Sequence, residues 1–305
     1  MIAFLFPGQG SQYVGMARDI TEQDPDSRAT IDAADRILGT ALSSVLFSGP
    51  EELLRQTHNT QPAIFLHSMI VARALTGHTP SMVAGHSLGE YSALVVAGAL
   101  SFEDALHLVR LRGELMQRAG EEQKGTMAAV VGLSPEATEE VCREASTTGI
   151  VQPANFNSPG QIAISGSVDG VHKAMELARA KGAKLVKELV VSGAFHSPLM
   201  QSARDGLRSA LDATTIDDAR IPVYANVTAR PVIKGTEIRE LLYQQLTSPV
   251  RWEETIRNMA RDGADAFIEI GPGKVLQGLV KRIVPGAHTG GFDTWADITA
   301  GGSTV

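Results

Sequence analysis

A single cysteine, Cys142, stands in 305 residues. No internal disulfide can brace the fold, and the thiol is expected to be a small buried or half-buried side chain. No apolar run approaches the ~20 residues of a membrane span. The opening stretch Met-Ile-Ala-Phe-Leu-Phe-Pro lacks the basic start of a signal peptide and reads as a first strand. Together these absences point to the cytoplasm, with no membrane partner. Positive charge is also short. The net charge of −7 argues against nucleic acid as the main partner, although an acidic partner could still dock on a local patch. Gly8-Gln9-Gly10 is not followed by Gly-Lys-Ser/Thr, so it is no P-loop. Tyr13 holds the place of the third glycine of a dinucleotide fingerprint. Internal repeats and low-complexity segments are missing too. What remains is ordinary for a soluble globular chain, 43 % hydrophobic and 20 % charged, with room for one large domain or two smaller ones.

Residues 81–98 are the most informative stretch. A short apolar run, Met82-Val83-Ala84, enters Gly85-His86-Ser87-Leu88-Gly89, and an Ala-rich apolar stretch follows to Gly98. This is Gly-x-Ser-x-Gly between a strand and a helix, the context in which the pattern presents a nucleophilic serine. The glycines remove side chains where the turn crowds strand against helix. Ser87 is then a candidate nucleophile at a helix N-terminus, whose free N–H groups suit an oxyanion. Gly8–Gln12, between a strand at 2–6 and a helix, is either a plain turn or a second loop offering backbone N–H groups to that oxyanion.

Thr60-Gln61-Pro62 predicts a helix running to about Leu75, with Thr60 as cap and proline in its first turn. Ser101-Phe102-Glu103-Asp104 opens the next helix, about 102–118. Its face of Ala105, Leu108, Val109, Leu115 and Met116 has Arg112 in the middle, whereas Arg110 and Arg118 fall on the solvent side. A buried arginine needs acceptors or a counter-charge. Periodicity leaves open an internal ion pair, a snorkelling side chain and a two-pronged donor for a substrate carboxylate.

Residues 125–191 read as strand (126–131), helix (Ser134 to Thr147), strands (150–154 and 161–166), helix (168–181) and strand (184–191). That order is a split βαβ, ferredoxin-like unit inserted in a parallel α/β pattern. The large part is therefore 1–124 with 192–305, and the small part 125–191. After the insert come a helix at 198–211, a strand at 221–225, helices at 236–246 and 252–262, a strand at 265–270 and a helix at 274–283. The Gly- and Thr-rich tail is expected to pack loosely.

A nucleophilic serine needs a base. Of eight histidines, His196 is the best candidate: it lies in a Gly-containing turn after an apolar strand, beside Phe195. No Asp or Glu stands out by position as the group that orients it.

These stretches, in this order, resemble the malonyl-CoA–acyl carrier protein transacylase family of fatty acid synthesis and its relatives, the acyltransferase domains of polyketide synthases. The likeness is carried by Phe6-Pro7-Gly8-Gln9-Gly10-Ser11-Gln12, Gln61-Pro62-Ala63, Gly85-His86-Ser87-Leu88-Gly89-Glu90, Arg112-Gly113 with Met116-Gln117, and Asn155-Phe156-Asn157-Ser158-Pro159-Gly160-Gln161. It continues through Ala194-Phe195-His196-Ser197, Ser248-Pro249-Val250-Arg251-Trp252 and Glu269-Ile270-Gly271-Pro272-Gly273, covering nearly the whole chain. The resemblance implies an α/β-hydrolase-like large subdomain with a parallel sheet, plus the ferredoxin-like insert. It implies Ser87 as nucleophile, His196 as base, and an oxyanion hole from the Gln9 and Leu88 amides. It assigns Arg112 to the malonyl carboxylate and the backbone carbonyl of Gln245 to the histidine. Asn155 and Asn157 would line the cleft, and Phe195 would leave little room beside the acyl α-carbon. The implied substrates are malonyl-CoA and holo acyl carrier protein, used by a monomer without metal or redox cofactor. Coenzyme A enters as a substrate carrier. The rivals are a methylmalonyl-selective or other acyltransferase, or one serving a polyketide assembly line in trans; a hydrolase that passes the acyl group to water; and an inactive carrier-binding module.

Overall fold

The computed structural model describes residues 1–75 and 77–301. Ten strands occur in this range: β1 Ile2–Phe6, β2 Met82–Gly85, β3 Gly125–Val131, β4 Val151–Ser158, β5 Gln161–Ser167, β6 Leu185–Glu188, β7 Val223–Tyr224, β8 Pro231–Val232, β9 Ala266–Ile270 and β10 His288–Phe292. They form two sheets, β10–β9–β1–β2–β7–β8 and β4–β5–β3–β6. The first is parallel from β10 to β7, with β8 antiparallel at its edge. The second is antiparallel throughout and carries the βαββαβ order expected of the insert.

Side-chain alternation explains why β1 is central. Phe4 and Phe6 enter a core with Phe65, Leu94 and Val109 on one face. Ala3 and Leu5 enter a second core with Trp252, Ile256 and Val280 on the other. Burying each such phenylalanine contributes roughly 1.5–3 kcal/mol. The helices Pro135–Ala145 and Val168–Ala180 cover one face of the small sheet. There Val141, Val171 and Ala174 meet Ala128, Val130 and Ile164, and Cys142 is buried among them.

Because β1, β2 and β9 are parallel, their carboxyl ends share one edge, where α/β sheets place ligands. Three loops lie there: Gly8–Gln12, the turn around Ser87, and Gly271–Gly273. The small sheet is stitched to this edge by backbone. Phe156 N–H donates to Val250 O (2.9 Å), and Val250 N–H donates to Ala154 O (2.8 Å).

Three sequence expectations are corrected. The helix expected to start at Thr60 begins a turn earlier and runs Thr57–Ala74, which puts Pro62 inside it. Proline has no N–H for the carbonyl four residues back. That carbonyl, His58 O, instead accepts from Arg110 Nη1 at 3.0 Å. Arg110 is therefore half-buried, not solvent-facing as its helical register suggested. The tail does not pack loosely throughout: His288–Phe292 forms an edge strand on β9, and the helix Trp295–Ala300 follows with a full capping box at Thr294. Residues 302–305 of that tail lie outside the described residues. Among the described residues no helix is long and apolar enough to cross a membrane.

Candidate active site

The turn after β2 forces an unusual backbone. Ser87 has φ +52°, left-handed and uncommon for a side-chain-bearing residue. A Cβ on Gly85 would lie 1.8 Å from the Gly89 carbonyl carbon, and one on Gly89 would lie 2.1 Å from Phe6 O. Both positions therefore exclude any side chain, as the motif anticipates. The turn lifts the Ser87 hydroxyl out of the strand at the start of the helix Gly89–Val96.

His196 meets it from the other side. Its Nε2 lies 2.8 Å from Ser87 Oγ. Its Nδ1 lies 2.9 Å from Gln245 O and 3.2 Å from Ser248 O. Two carbonyls can only accept, so Nδ1 carries the proton and Nε2 is free to take one from serine. His196 is buried and also left-handed, at φ +57°. Burial, and then the Arg112 charge, push its pKa down to about 3, against the two carbonyls that raise it. The imidazole is neutral at any ordinary working pH.

Arg112 is fully buried in the helix Phe102–Glu122. Nη1 donates to Gln61 Oε1 (2.8 Å), and Nη2 donates to Gln245 Oε1 (2.9 Å) and to Ser87 Oγ (3.1 Å). Its Nε has no partner, and among the described residues no carboxylate pairs with the guanidinium directly. Burial lowers its pKa, while Tyr91 and Glu90 act the other way. Snorkelling is thus excluded, and so is a direct ion pair among the described residues; a buried cation stands beside Ser87.

These groups border a cavity of about 120 Å³. Gln9, Leu88, Asn155 and Phe195 also line it. The N–H groups of Gln9 and Leu88 are not engaged by any backbone carbonyl among the described residues. Asn155 Oδ1 is buried without a partner. Asn157 lies one step away, in an adjoining groove of about 260 Å³, and its Oδ1 is 2.9 Å from His86 Nε2. Gln245 carries more than its backbone role: its side chain also reaches Arg112, Ser87 O (3.0 Å) and Glu90 Oε2 (2.9 Å).

Two residues at this site were missed from the sequence. Asn226 Oδ1 accepts from Ser87 N–H at 2.7 Å, and its Nδ2 donates to Gly85 O at 2.7 Å. Glu90, quoted only as part of the serine motif, is 2 % exposed, and burial raises its pKa to about 7. Its position on an otherwise apolar helix face was the one available signal. Asn226, in a short turn after β7, offered none.

A family model described as an acyl transferase domain matches residues 3–289. The malonyl CoA-acyl carrier protein transacylase of Bacillus subtilis is 50 % identical, over 92 % of this chain and 90 % of that protein. An acyl carrier protein S-malonyltransferase from Vibrio cholerae, solved as a crystal structure, superposes with a TM-score of 0.95 at 42 % identity, covering 98 % of this chain and 99 % of its own. A malonyl-transacylase solved in complex with its type II PKS acyl-carrier protein superposes with a TM-score of 0.94 at 40 % identity, covering 98 % of each chain. The serine turn, its histidine and the buried arginine therefore lie in a chain that belongs to the acyl transferase domain family, among the malonyl CoA-acyl carrier protein transacylases.

Proposed function

We propose that this chain moves the malonyl group from malonyl-CoA to the phosphopantetheine thiol of holo acyl carrier protein through an ester on Ser87, supplying extender units for fatty acid synthesis. The observation that carries the reading is Arg112, a buried guanidinium with no directly paired carboxylate among the described residues, 3.1 Å from the Ser87 hydroxyl beside a small cavity. An acyl group ending in a carboxylate supplies the missing anion; an acetyl group does not.

The first half-reaction uses Ser87 Oγ as nucleophile. As it attacks the thioester carbonyl, its proton passes to His196 Nε2, already hydrogen-bonded to it. The Gln9 and Leu88 amides are assigned to the oxyanion. When the C–S bond breaks, His196 returns the proton to the departing thiolate, leaving malonyl-Ser87 and free coenzyme A. In the second half the carrier thiol gives its proton to His196 and attacks the ester. Ser87 takes the proton back as the C–O bond breaks. Gln245 O holds the ring throughout; as a neutral acceptor it fixes the tautomer with less stabilisation of the imidazolium than a carboxylate would give. Every group in this scheme belongs to this chain or to its two substrates.

The test is intact-protein mass after mixing with malonyl-CoA, in wild type and Ser87→Ala. The expected result is a malonyl adduct that requires Ser87 and is discharged by holo carrier protein. Discharge by water at the same rate would replace the transferase reading with a hydrolase. A stronger adduct from methylmalonyl-CoA would move the protein towards polyketide extension.

A further inference from the structure

The reaction scheme gives no task to Glu90, a carboxylate inside an apolar helix where burial is costly. Its surroundings supply one. The Ser87 peptide is gripped on both sides by side chains: its N–H donates to Asn226 Oδ1 (2.7 Å), and its carbonyl accepts from Gln245 Nε2 (3.0 Å). Those two residues come from different segments, Asn226 after β7 and Gln245 from the helix Gly235–Gln245. Both converge on one atom. Glu90 Oε2 accepts from the Asn226 backbone N–H (3.0 Å) and from Gln245 Nε2 (2.9 Å). Gln245 in turn accepts from His196 Nδ1 through its carbonyl and from Arg112 through its side chain.

We propose that Glu90 and Asn226 are positioning residues that lock the nucleophile turn to the segment orienting the base, so that Ser87 and His196 move as one unit. The inference rests on the Ser87–His196 reading above. Two left-handed residues, Ser87 and His196, must be held against their backbone preference, and such strain persists only where the surroundings over-determine it. An anionic acceptor strengthens both of its hydrogen bonds. The charged or titratable groups acting on Glu90 are Arg112, on the neighbouring helix Phe102–Glu122, and its own neighbour Tyr91; Asn226 and Gln245 do not titrate. With Glu90 titrating near about 7, the lock weakens as the pH falls through neutrality. His196 is already neutral there and contributes no change.

The experiment compares wild type, Glu90→Gln, Asn226→Ala and the double variant. Two rates are read between about pH 5.5 and 8.5: single-turnover malonylation of Ser87, and its phosphonylation by a fluorophosphonate probe that carries no carboxylate. In wild type both rates should fall as the pH drops through about 7. Glu90→Gln should lose that limb and run roughly 10- to 100-fold slower at saturation, because small displacements of a reacting pair cost that much. KM for malonyl-CoA should change less than about threefold, since carboxylate recognition is untouched. Asn226→Ala should slow both rates, and the double variant should fall no further than the worse single.

A wild type without a limb near neutrality would overturn the proposal even if Glu90→Gln failed to fold. So would a folded Asn226→Ala with unchanged phosphonylation, or losses in the double variant that simply multiply. Wild type that accepts the phosphonate but not malonyl-CoA would sink the substrate reading and leave this one standing.

Discussion

Replacing Arg112 with alanine separates two effects that the structure ties together. The guanidinium offers a malonyl carboxylate its N–H groups beside Ser87. Hydrogen bonds to charged groups contribute about 1.5–3 kcal/mol each. Two of them, less the usual non-additivity, amount to about 3 kcal/mol, or roughly 150-fold in the rate of Ser87 acylation by malonyl-CoA at limiting substrate. The same cation depresses the basicity of His196, second only to burial. A bound malonyl carboxylate neutralises it, so malonyl itself makes the base more effective, and acetyl cannot. Arg112→Ala removes the depression for every substrate. Acylation by acetyl-CoA should therefore hold steady or rise while acylation by malonyl-CoA collapses. The assay is rapid quench followed by intact mass, with each acyl-CoA in turn and circular dichroism to establish that the variant is folded. An equal fall with both substrates would refute the reasoning, because Arg112 would then serve only to support Ser87 and the two glutamines. Arg112→Lys should lie between, keeping a charge but losing the planar fork.

The depressed His196 pKa also has a consequence for stability. An unfolded histidine titrates near 6.5, and the folded one near about 3, so between these values the unfolded state binds the extra proton. Stability from this residue is therefore undiminished above about pH 6.5 and is lost progressively as the pH falls towards 3. The melting temperature of wild type should drop relative to that of His196→Gln over that window, and parallel curves would contradict it. Glycine packing gives a paired test. Gly89→Ala drives a Cβ to 2.1 Å from Phe6 O and should destabilise by roughly 1–3 kcal/mol or more. Gly278, with nothing within 4 Å of its would-be Cβ and inside the helix Val275–Ile283, should gain roughly 0.5–1 kcal/mol as alanine. Melting curves of the two variants moving in the same direction would rule out this account of the turn.

The parts of the fold that could be read from the sequence were those written in local physics. Buried strands such as Ile2–Phe6 and Ala266–Ile270 are short apolar runs closed by Pro or Gly, and Ser101 and Ser134 cap their helices as their spacing indicates. Where the outcome depended on distant partners, local physics misled. Pro62 looked like a helix start because proline is costly inside one. It is tolerated there because Arg110, 48 residues along the numbering, fills the vacated carbonyl at His58. His288-Thr-Gly-Gly-Phe has neither the alternation nor the apolar content of a strand. It becomes one because β9 offers an unpaired edge, and backbone hydrogen bonds do not depend on side chains.

The same divide runs through the site. Ser87 announces itself by the glycines its turn requires, and Arg112 by its place in an apolar stripe. Each of these is a conflict with local expectation, and such conflicts concentrate at functional positions. His196 was legible only relative to Ser87, as the best-placed base for a nucleophile already found. Gln245 was unreachable by that route, because its backbone carbonyl does the orienting and any residue has one. Asn226 creates no local conflict at all: asparagine in a turn is ordinary. Its meaning lies 139 residues away, at the Ser87 amide. Glu90 stands between the two cases. A carboxylate on a buried helix face is a local conflict of the same kind as Arg112, and by the same logic it should mark a function. That symmetry is the physical reason to look for Glu90 in the kinetics of Ser87 and not only in the stability of the fold.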